Sequence, residues 1–267
     1  MGFRRIATAG IALCLVAMVF VPSAEGRQRP TAWRQVGDVG DWANTVAMTP
    51  LNNLIWSIEA DGTLFRTDRR GNFEQVGEKG AFADATLLQG LDGSLFTVEG
   101  GTLYRTDMTS GRWHQLGRKG RWRNAVAMVG TRGHLWSINR SGTLYRIAKN
   151  GEAEQIGPDG AFAEAGLLAA MNGKLWTIER GTLYSTDPAR GTWRQVGKTG
   201  AFRKTIGLAA SDGVLWSIHE SGTLFRSDTT GARTRVGDVG DYANTEMLIS
   251  FDGKLYTVED GTLYATR

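Results

Sequence analysis

The chain has 267 residues, of which 41% are hydrophobic and 22% are charged, with a formal net charge of +4. This composition provides enough apolar residues for a large core and excludes general disorder. The 36 glycines are roughly twice the average usage and follow no collagen triplet, which predicts many turns. The single cysteine, Cys14, lies in an apolar N-terminal run, so a disulfide framework is excluded.

The first 26 residues have the pattern of an export signal. Arg4 and Arg5 give a positive start, residues 6–21 are uncharged and largely apolar, and small residues follow near Ala24 and Gly26. The run is short for a membrane span, which needs about 20 residues, although an uncleaved anchor is an alternative. We expect residues 1–26 to be a signal peptide and 27–32 a short linker. The mature protein is then exported, secreted or periplasmic, with no stable membrane insertion.

A repeat of forty residues follows this segment. An aliphatic residue followed by glycine occurs once in each repeat, at Val36-Gly37, Val76-Gly77, Leu116-Gly117, Ile156-Gly157, Val196-Gly197 and Val236-Gly237. Five residues after each of these glycines stands an aromatic residue: Trp42, Phe82, Trp122, Phe162, Phe202 and Tyr242. A Gly-Thr-Leu-aromatic element begins at Gly62, Gly101, Gly142, Gly181, Gly222 and Gly261. Six copies of one unit indicate a repeat architecture.

Each repeat predicts four short strands separated by turns. In the first repeat these strands are approximately Asn44–Pro50, Leu54–Glu59, Gly62–Asp68 and Phe73–Gly77. Pairs such as Asp92-Gly93 and Asn172-Gly173 are typical of tight hairpin turns. Four-stranded units at this period are typical of β-propeller blades.

The order of the strands predicts how the ring closes. The repeat region opens at Trp33–Gly37, which corresponds to a fourth strand, and ends at Gly261–Arg267, which corresponds to a third strand. The first strand can therefore complete the last blade and remove two sheet edges. We predict an all-β fold over residues 33–267, a six-bladed β-propeller of four-stranded blades closed by the N-terminal strand.

Three segments of the repeat carry a family resemblance. They are Trp33-Arg34-Gln35-Val36-Gly37, Leu54-Ile55-Trp56-Ser57-Ile58-Glu59 and Gly62-Thr63-Leu64-Phe65-Arg66, and their equivalents recur through residues 33 to 267. On these segments the chain resembles the tectonin and tachylectin-2-like propeller lectins. The resemblance implies recognition of sugars or surface glycans without catalysis.

The sequence contains few features that are typical of an enzyme active site. His114, His134 and His219 occupy three different positions of the repeat, so spacing does not assemble them into a metal site. The sequence contains neither a phosphate-binding glycine loop nor a nucleophile elbow. We therefore expect a protein that is not an enzyme and that has no cofactor and no metal.

The candidate ligand site combines the loop aromatic residues with carboxylates. A ring covers the C–H face of a pyranose, and a carboxylate accepts hydrogen bonds from its hydroxyl groups. We predict ligand contacts by Trp42, Phe82, Trp122, Phe162, Phe202, Tyr242, Glu59, Glu99, Glu179 and Glu259. The expected partner is a glycan or cell-surface polysaccharide, and a protein is the alternative.

A purely structural interpretation of the same residues stays open. Large aromatic residues are usually buried, so the loop rings can equally be part of the core. The glutamates can cap turns or pair with arginines, for which the candidates are Arg66, Arg105, Arg146 and Arg226. The aromatic residues of the second and third strands are expected in the core: Trp56, Phe96, Trp136, Trp176, Trp216 and Tyr256, with Phe65, Tyr104, Tyr145, Tyr184, Phe225 and Tyr264.

Two departures from the repeat polarise the loop charges. The first and last repeats carry four aspartates, Asp38, Asp41, Asp238 and Asp241, and the third carries Arg118, Lys119, Arg121 and Arg123. A polarised face can orient a partner, although chance charges on solvated loops are equally compatible with it. Export and the acidic sector argue against a nucleic-acid partner.

A catalytic alternative concerns the mouth of the central tunnel. The residues that open the first strands are Asn44, Asp84, Asn124, Glu164, Lys204 and Asn244. Oxygen ligands converging there could hold calcium for a hydrolase, although only two of the six are carboxylates and Lys204 opposes a cation. Glu246, which stands where the other repeats have small or apolar residues, is a further irregularity.

Overall fold

The computed structural model describes residues 33–266, so the predicted signal peptide and linker lie outside the described residues. Twenty-four β-strands form six antiparallel sheets of four strands each. The innermost strands of neighbouring sheets contact one another around a closed circle, in which the first sheet also contacts the sixth. The chain is therefore a six-bladed β-propeller, as the repeats predict.

The strands follow one another outwards from the ring axis in each blade. Blade 1 contains β2 (Thr45–Leu51), β3 (Leu54–Glu59), β4 (Leu64–Thr67) and β5 (Phe73–Val76); blade 2 contains β6 (Ala85–Leu91), β7 (Ser94–Glu99), β8 (Thr102–Thr106) and β9 (Trp113–Leu116). Blade 3 contains β10 (Ala125–Thr131), β11 (His134–Asn139), β12 (Leu144–Ile147) and β13 (Ala153–Ile156); blade 4 contains β14 (Leu168–Met171), β15 (Lys174–Glu179), β16 (Thr182–Asp187) and β17 (Thr192–Val196). Blade 5 contains β18 (Thr205–Ser211), β19 (Val214–His219), β20 (Thr223–Ser227) and β21 (Arg233–Val236); blade 6 contains β22 (Thr245–Phe251), β23 (Lys254–Glu259), β24 (Thr262–Thr266) and β1 (Trp33–Val36).

The first strand of the described chain closes the ring. Strand β1 pairs antiparallel with β24, with Trp33 opposite Thr266 and Val36 opposite Leu263. This pairing covers two sheet edges that would otherwise expose unpaired backbone groups. The predicted closure is confirmed.

Two-residue turns join the first and second strands of each blade. In blade 1 both central residues, Asn52 and Asn53, have positive φ angles of 51° and 63°. Such angles belong to the tight hairpin turns whose twist matches that of the strands, and asparagine tolerates them. In the other five blades the second of these residues is glycine, which confirms the predicted hairpins.

Blade 4 departs from its neighbours at the inner strand. Strand β14 begins only at Leu168, three residues later in the repeat than the inner strands of the other blades. The repeat places Gly166 where blades 1 and 3 carry Val46 and Val126. Glycine lacks a side chain to pack and weakens a strand interior, which accounts for the shorter strand.

The core lies between the blades. The second-strand residues Trp56, Phe96, Trp136, Trp176 and Tyr256 are 0 to 3% exposed, while Trp216 is half-buried. The third-strand residues Phe65, Tyr104, Tyr145, Tyr184, Phe225 and Tyr264 are half-buried, not fully buried as predicted. The blades diverge with distance from the ring axis, so rings on the third strand keep one side near solvent. Residues 33–266 contain no helix with the length and apolar character that a membrane span requires.

The Gly-Thr-Leu element and the loop aromatic residue dock each blade onto the next. The backbone N–H of Phe82 donates to the carbonyl oxygen of Gly62 at 2.9 Å, and the same bond recurs at all six blade boundaries. A Cβ atom at Gly62 would lie 2.3 Å from the backbone nitrogen of Ala83, so this close approach requires glycine. The two recurring motifs are therefore halves of one interblade contact.

Candidate functional site

The six loop aromatic residues lie in the interior. The exposed fractions are 4% for Trp42, 1% for Phe82, 4% for Trp122, 1% for Phe162, 0% for Phe202 and 1% for Tyr242. The backbone bond to the preceding blade draws each ring between two sheets. A ring that is buried on both faces offers no surface for stacking on a sugar. Packing between blades accounts for these residues, and a ligand surface has to be sought among their neighbours.

The four predicted glutamates lie where the second strand of each blade ends. Glu59, Glu99 and Glu179 are half-buried, and Glu259 is 5% exposed. The hydroxyl group of Thr45 donates to Glu59 Oε1 at 2.7 Å, so this carboxylate bonds within its own blade. Burial raises the pKa of Glu59, and burial followed by the neighbouring Glu164 charge raises the pKa of Glu179.

Two of the arginines considered as partners for these glutamates form ion pairs elsewhere. Arg66 forms its ion pair with Glu74 at 2.8 Å, and Arg146 likewise pairs with Glu154, in both cases across the outer two strands of the blade. Burial raises the pKa of Glu99 to about 7.

A cleft of about 620 Å³ opens on the side of blade 1 that faces blade 6. Its lining comprises Asp41, Trp42, Asn44, Ser57, Glu59, Ala60, Asp61, Thr63, Phe65, Thr67, Phe73, Gln75 and Lys79. The cleft brings together one predicted aromatic–carboxylate pair, Trp42 and Glu59. Trp42 reaches it only with the small part of its surface that is exposed.

The accessible rings of the cleft are Phe65 and Phe73. Phe73 is 56% exposed and lies edge-on to Phe65, with the ring centroids 5.7 Å apart. Sequence reasoning assigned Phe65 to the core and gave Phe73 no role. A signal was nevertheless present, because Phe73 stands where the repeats of blades 2, 4 and 6 carry tryptophan.

Three carboxylates give the cleft an acidic character. Asp41 accepts a hydrogen bond from the backbone N–H of Asp38 at 2.9 Å, which leaves further acceptor positions on its carboxylate. Asp61 forms an ion pair with Lys79 at 3.2 Å. Asp41 and Glu59 therefore carry the uncompensated negative charge of this site when both are ionised.

The polarised loop face also has a basic side. Arg118, Lys119, Arg121 and Arg123 line a hollow of about 380 Å³ with Gly120. In a ring of six, blade 3 lies opposite blade 6, so the basic loop stands across the central tunnel from the acidic loop with Asp238 and Asp241. Part of the acidic sector is structural, since Asp241 caps its own loop by accepting from the N–H of Asp238 at 2.6 Å.

The residues at the tunnel mouth pair with the neighbouring loops. Arg180 forms an ion pair with Glu164 at 2.8 Å, Lys204 pairs with Glu220, and Asn244 donates to Asp260 at 2.8 Å. Within residues 33–266 no group of three or more His, Cys, Asp or Glu side chains is placed to hold a metal ion. Glu246 is exposed at the start of β22, and partial desolvation, followed by the charge of Asp260, raises its pKa.

One serine–histidine contact requires separate consideration as a catalytic pair. Ser221 Oγ lies 2.7 Å from His219 Nδ1, which also accepts the backbone N–H of Ser221 at 3.0 Å. At the equivalent turn of blade 3, Ser141 Oγ donates to Asn139 Oδ1 at 2.8 Å. An amide oxygen cannot act as a general base, so the shared geometry is that of a turn cap.

Solved structures with a similar fold are propellers of diverse kinds. Virginiamycin B lyase from Staphylococcus aureus matches with a TM-score of 0.61 and 13% identity over 85% of this chain and 81% of that chain. YCF48 bound to D1 peptide matches with a TM-score of 0.60 and 12% identity over 89% and 95%. The computationally designed Ika8 protein matches with a TM-score of 0.56 and 16% identity over 87% and 99%. Neither a protein-family model nor a curated protein matches the sequence. At these identities the likeness shows the fold alone.

Proposed function

We propose that this chain is an exported, non-catalytic binding protein that holds a segment of a partner protein in the blade 1 cleft. The observation that carries the proposal is the cleft itself, in which the rings of Phe65 and Phe73 lie beside the carboxylates of Asp41 and Glu59. Concave sites with an apolar body and a few polar groups are the usual ligand sites of proteins. A propeller of the same fold is solved with a bound peptide, which is compatible with this proposal.

A rigid ring suits such a role. The cleft is built on strands of one blade and on a loop that is hydrogen-bonded to the preceding blade. A site held on sheet edges loses little entropy when a ligand binds, which favours specific recognition. No step of this function requires a nucleophile, a general base or a metal.

Photocrosslinking from the cleft tests this proposal. We would place p-benzoylphenylalanine at Gln75, which is exposed and lines the cleft, and at Gln115 as the matched control. Both glutamines donate to a glycine carbonyl two residues ahead at 3.0 Å, so the two positions are equivalent. We expect one discrete protein adduct from position 75 in the producing cells and none from position 115. Identical adduct patterns from both positions would contradict the proposal.

Carbohydrate recognition is the second candidate function. Its specific support is the exposed ring of Phe73 beside the polar side chains of Asn44, Glu59 and Gln75, a combination suited to a pyranose. A glycan array of the wild-type protein and of Phe73→Ala is the corresponding measurement. Glycan binding that depends on Phe73, without a protein adduct from position 75, would favour the lectin function.

A further inference from the structure

The walls of the blade 1 cleft have counterparts in blade 5, where an arginine fills the space between them. The guanidinium carbon of Arg233 lies 3.8 Å from the ring centroid of Phe225 and 4.5 Å from that of Phe202. The same guanidinium donates to the carbonyl oxygen of Ala201 and reaches Ser217 Oγ at 3.5 Å. Burial lowers the pKa of Arg233. This blade therefore holds a partly desolvated cation between two rings.

Blade 3 fills the same region with a different arginine. Its fourth strand carries Ala153 at the position of Arg233, which leaves space beside Tyr145 and Trp122. The guanidinium carbon of Arg121 lies 5.5 Å from the Trp122 ring centroid, and Arg121 donates to the carbonyl oxygen of Ala153 at 3.1 Å. Two blades thus recruit a guanidinium where the outer aromatic residue is absent, and they do so from different positions in the repeat.

Blade 1 keeps the walls of this pocket and lacks the arginine. Trp42, Ser57 and Phe65 correspond by the forty-residue repeat to Phe202, Ser217 and Phe225, which surround Arg233 in blade 5. All three line the open cleft. The filling residue is Phe73, which is 56% exposed, and the position of Arg121 is taken by Asp41.

The blades differ in the charged residues around this pocket, according to which side chain fills it. Asp41, Glu59 and Asp61 of blade 1 correspond to Ala201, His219 and Ser221 in blade 5, none of which is acidic. In blade 3, Asn139 and Ser141 take the positions of Glu59 and Asp61. The two blades that supply their own cation therefore have no acid at these positions, whereas the blade that lacks one has three.

We propose that the blade 1 cleft binds the guanidinium group of an arginine side chain from a partner polypeptide. This inference rests on the proposed function and names the group that the partner presents. A planar guanidinium stacks on aromatic faces and bonds carboxylates through several N–H groups at once. The cleft volume of about 620 Å³ also leaves room for the aliphatic stem and the adjoining backbone.

A peptide series tests the proposed chemistry directly. Acetyl-Gly-Arg-Gly-amide, its lysine counterpart and its citrulline counterpart would be titrated into the purified protein and followed by NMR. Citrulline keeps the shape without the charge, and lysine keeps the charge without the plane. We expect the arginine peptide to bind about tenfold more tightly than the citrulline peptide and severalfold more tightly than the lysine peptide. Shifts should centre on Trp42 and Phe65; equal binding of the three peptides, or shifts centred on another blade, would overturn the assignment.

Two variants locate the binding site. Phe73→Arg places a guanidinium where blade 5 has one, so it should occupy the cleft and abolish peptide binding without lowering Tm. Asp41→Asn should weaken peptide binding about threefold. Asp241→Asn should not weaken it, because Asp241 has the same loop position in blade 6, where Trp33 closes the pocket. Trp33 is 7% exposed, which makes blade 6 the matched control. Undiminished binding to a folded Phe73→Arg protein would overturn the site.

The two proposals fail in distinguishable ways. A discrete protein adduct from position 75 that persists while arginine peptides do not bind would overturn the guanidinium assignment and leave the binding function standing. An adduct that also forms from position 115 would overturn the binding function at this cleft, whatever the peptides do.

Discussion

Blades 1 and 5 share the walls of one pocket and differ in what occupies it. In blade 5 the pocket is closed by Arg233, which lies against Phe225 and Phe202. In blade 1 the corresponding residue, Phe73, turns its ring largely to solvent and leaves a cleft. The repeat therefore provides an internal comparison. In blade 5 a side chain of the protein itself fills the pocket, and in blade 1 the corresponding pocket is open.

The comparison shows that the blade 5 pocket holds a cation without an ion pair to a carboxylate. Among the described residues no acidic side chain forms an ion pair with Arg233, whose contacts are two rings, a carbonyl oxygen and a serine hydroxyl. Rings and backbone dipoles can offset part of the desolvation cost of a charge. In blade 1 carboxylates are added to similar walls, so a cation entering from outside meets stronger attraction than Arg233 does.

The largest expected effect concerns the walls of both pockets. Trp42→Ala and Phe202→Ala each remove a ring that is at most 4% exposed and should lower the free energy of unfolding by about 3–5 kcal/mol. Chemical denaturation measured for both variants checks this expectation. A loss of ligand binding by Trp42→Ala at unchanged stability would instead show that the ring serves the ligand and not the packing.

Removing the arginine from the blade 5 pocket should leave that pocket open, like the cleft of blade 1. Arg233→Ala removes the cation between Phe202 and Phe225 and should lower stability by about 1–2 kcal/mol. The emptied pocket should then accept the arginine peptide, so added peptide should raise the Tm of this variant more than that of the wild type. The matched control is Arg226→Ala: Arg226 is exposed and follows Phe225 directly on β20, so its side chain lies on the opposite face of the blade. Equal peptide effects on both variants would break the analogy between the two pockets.

Most of the fold could be predicted because the repeat fixes it locally. Glycines, turn pairs and aliphatic residues recur at the same spacing, and each feature constrains a turn or a strand regardless of its distant neighbours. The first repeat's strands begin and end within about two residues of their predicted bounds, as for Leu54–Glu59. Ring closure followed from the order of the strands. The short β14 was missed, since one residue, Gly166, decides it.

The placement of the predicted site residues is harder to derive from the sequence because it depends on interblade geometry. The loop rings at Trp42 and its equivalents have the composition of a sugar platform, and only the backbone bond to the preceding blade, Trp42 N–H to Gly261 carbonyl oxygen at 2.9 Å, turns them inward. Ala153 and Arg233 are visible in the sequence as departures from the repeat. That arginines fill both places depends on which side chains meet between blades, and spacing does not contain that information.

The half-buried Glu99 of blade 2 tests whether these carboxylates stabilise the fold. The folded-state pKa of Glu99 is raised from its ordinary value of 4.5 to about 7, so the folded protein holds a proton that the unfolded chain has lost in this window. Stability due to this group therefore falls as pH rises from 4.5 to 7, and the cost is complete above 7. Glu99→Gln should stabilise the protein by about 1 kcal/mol at pH 8, allowing for solvent screening, and leave it unchanged at pH 4.

The control for Glu99 is an exposed glutamate of the same region. Glu78→Gln should change the free energy of unfolding by less than about 0.5 kcal/mol at either pH. Blade 3 already carries Asn139 at the position of Glu99, so the repeat accepts a neutral side chain there. Equal stabilisation by Glu99→Gln at pH 8 and pH 4 would contradict an electrostatic cost.

The smallest expected effect concerns Glu59 of the cleft. Its charge is expected to attract the ligand, whereas the charge of Glu99 is expected to affect only stability. Burial raises the pKa of Glu59, and protonation removes a charge that attracts the guanidinium, so affinity for the arginine peptide should fall about threefold as pH falls through that pKa. Linkage requires the reverse as well: bound peptide must lower the pKa of Glu59. NMR titration of Glu59 with the arginine and citrulline peptides measures this, with Glu59→Gln as the variant that should lose the pH dependence. A Glu59 pKa that the two peptides leave equal would mean that the cleft discriminates shape and not charge, and the contrast between blades 1 and 5 would then lie in Phe73 alone.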